Sequence, residues 1–260
     1  MREILEDAQA HIEDGYGRAQ KHQKQHLPKR FYKEVSVGTV ENGFCVLLDG
    51  RPIKTPGKMI VQVPSQRLAT LLGAEWAAVV GDIDPAKMPL TRLVNTTVEK
   101  GEETLDAVKA EIVKFAGNDL LAYRAEGPQD LVDLQSKHWD AALDAFSKRY
   151  DISFKVIIGV MHQDQPAEVQ SRIGELVKPY GVLAAFSTML ITSVTGSAVL
   201  AVGLSEGLFT PEQVLTDAYV DEDYQSKQWG EDGEAIRMRA FKKQDFDAAV
   251  KVLELVGREA

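Results

Sequence analysis

Between Lys178 and Glu206 lie 27 residues without a charged side chain. A helix that is apolar all round belongs either in a protein interior or in lipid, and this length suffices for the ~30 Å of hydrocarbon in a bilayer. Ser187, Thr188, Thr192, Ser193, Thr195 and Ser197 interrupt the run, however, and Tyr180-Gly181 and Gly196 break it. The stretch therefore predicts a buried helix or helix pair at the centre of a helical domain, with no membrane insertion. The rest of the chain has to cover it.

A chain of 260 residues buries roughly three-quarters of its extended surface, enough for a core that needs no disulfide. Cys45 is the single cysteine and has no partner in the chain, which suits a reducing compartment. Thirty Lys and Arg stand against 39 Asp and Glu, a net charge of −9. That balance argues against a nucleic-acid partner, whose phosphates call for clustered cations. The opening MREILEDAQA carries acids where a signal or transit peptide would carry Arg and apolar residues, so a cytoplasmic location is expected.

The hydrophobic period divides the chain. Residues 2–23 read as a polar helix, acids first and bases last, in agreement with the helix dipole; with residues up to 30 they form an N-terminal arm. Over 31–88 the pattern is α+β. Phe31 to Val37 begins a strand, Glu41-Asn42-Gly43 turns, and Phe44 to Leu48 is apolar on both faces and so central. Asp49-Gly50 turns again, Arg51 to Lys54 returns, Pro56-Gly57 breaks, and Met59 to Val63 is a further strand. Cys45 is then a packed core residue. Ser65 caps a helix that buries Leu68, Leu71, Leu72, Trp76 and Val79 against this small antiparallel sheet. Trp76 reads as core, with a replacement cost of ~3–5 kcal/mol.

Over 89–260 the pattern is a larger, mostly α-helical bundle, with helices near 90–99, 102–116, 129–150, 166–178, 181–206, 210–228 and 245–257. Thr210-Pro211-Glu212-Gln213 sets an N-cap, a first-turn proline and a capping-box Gln in order, and Asp245 reads as the cap of the last helix. Ser153 to Ile158 is a short strand or a linker.

Motifs for catalysis fail on inspection. Gly203-Leu204-Ser205-Glu206-Gly207 fits G-x-S-x-G, but a nucleophile elbow needs a strand turning into a helix and a His later in the chain, and the last histidine is His162. The segment reads instead as a helix end with Gly207 as cap. Gly50 to Lys58 resembles a phosphate loop, yet six residues separate its glycines instead of four, and Met59 stands where Ser or Thr would hold magnesium. None of His11, His22, His26, His138 and His162 has a zinc-spaced partner; His138 reads as a structural hydrogen-bonder.

The unusual segment runs from Asp221 to Ala235. Six acids and one Lys give it a charge of −5, Tyr224 and Trp229 sit inside it, and Arg237, Arg239, Lys242 and Lys243 follow. Three readings stand: a solvated acidic face paired with the basic run, a divalent-metal site, or a docking surface in which aromatics among charges are anchors. A serine hydrolase at Ser205 or an acidic-cluster metal enzyme is the rival reading from another class.

DGRPIKTPGK at 49–58, AEW at 74–76, IDPAKMPLTRLVNT at 83–96, QSKHWD at 135–140, TGS at 195–197 and DEDYQSKQWGEDGEA at 221–235 occur in this order. Together they resemble the assembly chaperones of the F-type ATP synthase that bind its unassembled alpha subunit, over about Phe31 to Val256. The resemblance implies an N-terminal α+β domain, a C-terminal helical domain, an ATP-independent chaperone with no catalytic residues, cofactor or metal, and the alpha subunit as partner. Its mitochondrial members carry an import presequence, so the acidic start points to a bacterial relative, or to a processed form from the mitochondrial matrix. The expected client surface comprises Glu222, Asp223, Tyr224, Trp229, Glu231 and Asp232.

Overall fold

The computed structural model describes residues 27–159, 161–230 and 232–256. The expected 2–23 helix and Glu231 lie outside them. Strands β1 (Val35–Val40), β2 (Gly43–Leu48), β3 (Arg51–Pro52) and β4 (Gln62–Val63) form an antiparallel sheet with β2 at its centre. One edge of β2 pairs along its length with β1, and the other is shared by β3 and β4. The β2–β3 turn is set by local chemistry: Asp49 and Gly50 both adopt positive φ, 48° and 79°, the two-residue hairpin geometry that Asp-Gly favours.

β1 starts at Val35, not at Phe31 as the alternation suggested. The amides of Lys33 and Glu34 donate to the Asp49 carboxylate at 3.0 and 2.8 Å, so they are not free to join the ladder. Those same donors hold the Asp49 carboxyl below its ordinary range, the Glu34 amide most strongly. Tyr32 turns inward, and its hydroxyl donates to the Trp76 carbonyl at 2.6 Å.

Helix α1 (Gln66–Ala77) lies across the sheet, capped by the Ser65 hydroxyl. Leu68 and Leu72 are buried, whereas Leu71 and Trp76 are half-buried against the core.

The chain then enters α2 (Pro89–Ala116). Two helices were expected here, separated at Gly101; there is one continuous helix. Gly101 does not break it but lets α6 (Val182–Thr195) approach, since a Cβ at this position would sit 2.2 Å from a Val182 methyl. The tertiary contact overrides the residue's weak helix propensity.

After α2, β5 (Tyr123–Arg124) pairs in parallel with β6 (Ile157–Ile158), a two-stranded sheet of which only the second half was anticipated. Between them run α3 (Gln129–Gln135), a π-helical turn (Ser136–Asp140) and α4 (Ala141–Tyr150), continuous as expected but for the bulge. Next come α5 (Ala167–Val177), α6, and α7 (Ala198–Ser205). The uncharged stretch is thus a helix pair, divided at Gly196 in the left-handed conformation (φ 70°).

α6 is the axis of the bundle, in contact with α2, α7 and the last helix. Three of its threonines are satisfied internally, Thr188, Thr192 and Thr195 each donating to the carbonyl four residues back at 2.8, 2.9 and 2.8 Å. Among the described residues no helix is long and apolar enough to cross a membrane.

The predicted 210–228 helix is two, α8 (Pro211–Ala218) and α9 (Val220–Trp229), joined at Tyr219. The last helix, α10 (Gly233–Val256), starts twelve residues before its expected position. Its start is held at Asp232, whose carboxylate accepts the Glu234 amide at 3.2 Å. Asp245 is therefore not a cap; it lies mid-helix and pairs with Arg92 of α2.

Candidate functional site

α10 is built in two halves. Its second half buries Phe246, Ala248, Ala249 and Val252, while every residue from Gly233 to Phe241 is exposed. The exposed half carries Ile236 and Met238, 48% and 53% accessible, side chains that a solvated arm has no reason to hold in water. Between this half and the α8–α9 corner lies a cleft of about 640 Å³, floored by Leu215 and Tyr219 and walled by Glu222, Ser226 and Asp232 on one side and by Ile236, Met238 and Arg239 on the other.

Spacing along α9 decides which of its acids reach the surface. Asp221 and Tyr224, three residues apart on one helix face, point inward: the Asp221 carboxylate accepts from the Gln135 amide at 2.8 Å, and the Tyr224 hydroxyl donates to Asp130 at 2.9 Å. Glu222 and Asp223 are consequently left outside, both exposed. Tyr224 is buried, 8% accessible, so it holds α9 in place and does not face solvent as a docking residue should. Trp229, at the end of α9, is 78% exposed, a large aromatic with its face open to water. Asp232 is exposed at the cleft.

The basic run does pair with the acidic one, among the described residues through a single ion pair, Asp223 with Arg239. Arg239 also lies over the Tyr219 ring, 4.2 Å from its centroid. Hydrogen bonding to Asp223 raises the Arg239 pKa further, and burial raises that of Tyr219. Of the other two readings of this segment, the metal site finds no support: among the described residues no group of three or more His, Cys, Asp or Glu is placed to hold an ion.

Behind α9 lies a buried polar network that sequence reasoning did not anticipate. Arg124, 7% exposed, donates to the Gln135 carbonyl at 2.9 Å and to Asp140 at 2.7 Å, and burial lowers its pKa. His138 bonds Asp217 through Nδ1 at 2.9 Å, the structural role expected of it. Burial raises the Asp217 pKa, against the opposing bond from His138. The π-turn brings these groups together, and QSKHWD at 135–140 is the local signal that marked it.

At the G-x-S-x-G segment the chain is helical through Ser205, with Gly207 in the left-handed conformation beyond it. The Ser205 hydroxyl lies 2.9 Å from the Ala201 carbonyl and 2.8 Å from the Thr188 hydroxyl. There is no strand-to-helix elbow here, and the hydroxyl is engaged in helix packing.

Residues 29–147 match the ATP12 chaperone protein family. The mitochondrial protein atp12 of Schizosaccharomyces pombe is 23% identical over 238 residues, which cover 85% of this chain and 81% of that one. Among solved structures, Atp12 from Paracoccus denitrificans superposes with a TM-score of 0.80 at 31% identity, over 87% of this chain and 97% of that one. The Atu1473 protein from Agrobacterium tumefaciens does so with a TM-score of 0.83 at 43% identity, over 88% and 86%. The α+β sheet followed by a helical bundle is the architecture these two solved structures share with it.

Proposed function

This chain belongs to the ATP12 chaperone family, and on that premise we propose that it binds the unassembled alpha subunit of the F-type ATP synthase and covers it until the beta subunit arrives. The observation that carries this reading is the exposed first half of α10, with Ile236 and Met238 beside an acidic wall. A subunit made ahead of its neighbours exposes apolar interface that drives wrong association. A protein that covers this surface removes the hazard by mass action and leaves when the true partner binds more tightly. Contact suffices for this, with no bond made or broken. The compartment follows the client: the bacterial cytoplasm or the mitochondrial matrix, where alpha subunits fold.

In this reading Glu222, Asp223 and Asp232 meet cations of the client and Trp229 is the aromatic anchor, with Glu231 completing the same acidic segment; Tyr224 supports α9 from within. Replacing Glu222 with Lys is expected to weaken alpha binding at least tenfold, since it sets like charge against the client's cations. The melting temperature should stay unchanged, because the side chain is exposed. A titration of purified alpha subunit against both proteins, beside their thermal melts, checks this; equal affinities would remove Glu222 from the contact.

A further inference from the structure

Resting on the reading of this cleft as the client site, we propose that it is a receptor for an arginine-bearing segment of the client, whose place Arg239 fills while the protein is free. The chain's own side chain shows what the site holds. Arg239 stacks on Tyr219 and pairs with Asp223, the face-and-carboxylate combination that suits a guanidinium better than an ammonium. Both partners of the pair are about half exposed, 44% and 53%, and such a pair adds little to stability and yields to a competing cation.

Tyr219 supplies the independent observation. It is 5% exposed, lines the cleft, and its hydroxyl has no hydrogen-bond partner among the described residues. Buried hydroxyls are almost always paired. Arg239 covers the face of the ring and leaves the hydroxyl unserved. A client guanidinium, with five N–H donors in a planar fork, can serve the Tyr219 oxygen and the Asp223 and Glu222 carboxylates together. Ile236 and Met238 then take the apolar side chains beside that arginine.

The test is a titration of purified alpha subunit against the wild-type protein and its Arg239→Gln, Lys242→Gln and Tyr219→Phe variants, each with a thermal melt. Arg239→Gln removes the internal competitor and is expected to bind roughly two- to fivefold more tightly, the factor an exposed ion pair represents. Lys242→Gln removes the same charge from the same cleft and leaves the Asp223–Arg239 pair in place; it is expected to show no such gain. Tyr219→Phe deletes an unsatisfied group, so its melting temperature should hold or rise while client affinity falls severalfold. An Arg239→Gln protein no tighter than wild type, an equal gain in Lys242→Gln, or an unaltered affinity in Tyr219→Phe overturns the proposal. The Glu222→Lys variant separates the two levels. If it binds as wild type does, the client site itself is lost; if it binds weakly while Arg239→Gln gains nothing, only the role of Arg239 falls.

Discussion

Replacing Trp139 with alanine is expected to remove ~3–5 kcal/mol of folding stability and to lower the melting temperature by roughly 10 °C. Trp139 sits in the π-turn, fully buried. Its indole N–H donates to the Asp217 carbonyl at 2.7 Å, and the Arg124 guanidinium lies 5.1 Å from its ring centroid. Truncation leaves a cavity, an unpaired carbonyl at the end of α8 and a buried cation without its aromatic face, three costs that act together. Denaturant unfolding of the two proteins measures the loss, and a loss below ~1 kcal/mol would contradict this account of the core. The same cost was expected of Trp76 from its helical spacing. Trp76 is only half-buried, with Tyr32 5.8 Å away between ring centroids, so the alanine variant there should lose less than the one at Trp139.

The second large effect is a dependence on pH at Asp119. This side chain is fully buried and accepts backbone N–H bonds from Leu121 at 3.1 Å and from Val199, at the start of α7, at 3.0 Å. Burial pushes its pKa up to about 6, against the pull of those donors. In the unfolded chain an aspartate releases its proton near pH ~4. Between these values the folded protein holds a proton that the unfolded chain has lost, so stability from this group is full below pH ~4 and is lost as pH rises through about 6. Asp119→Asn keeps a hydrogen-bonding side chain and cannot titrate. The stability of wild type minus that of the variant should therefore fall by about 3 kcal/mol from pH ~4 to ~7. Denaturant unfolding of both proteins at closely spaced pH values gives this difference, in which every other titrating group cancels. A flat or rising difference would contradict the assignment.

What the sequence made legible was mostly local. Asp49-Gly50 dictates its turn, Ser65 and Thr210 cap the helices they were assigned, and the doubly apolar β2 lies at the centre of its sheet. Three of the failures share one cause, a partner elsewhere in the chain. Gly101 looks like a break until Val182 packs against it, and Asp245 looks like a cap until Arg92 claims it. Lys33 and Glu34 look like strand until Asp49 takes their amides. At the site, the clustered acids and Trp229 were visible as an odd composition. Their division into inward Asp221 and Tyr224 and outward Glu222 and Asp223 was not, because it depends on Gln135 and Asp130, more than 80 residues away. Nor was the cleft, since Tyr219 and Arg239 meet only once α10 folds back across the α8–α9 corner.

The central claim is that this protein keeps a free alpha subunit from associating wrongly. The most direct test expresses the alpha subunit without its beta partner, with and without this protein, and measures soluble alpha and what co-purifies with it. A rise in soluble alpha that travels in a complex with this chain, and is lost with Glu222→Lys, is the predicted result. An alpha subunit that aggregates to the same extent in both cultures, with nothing bound to this chain, would contradict it.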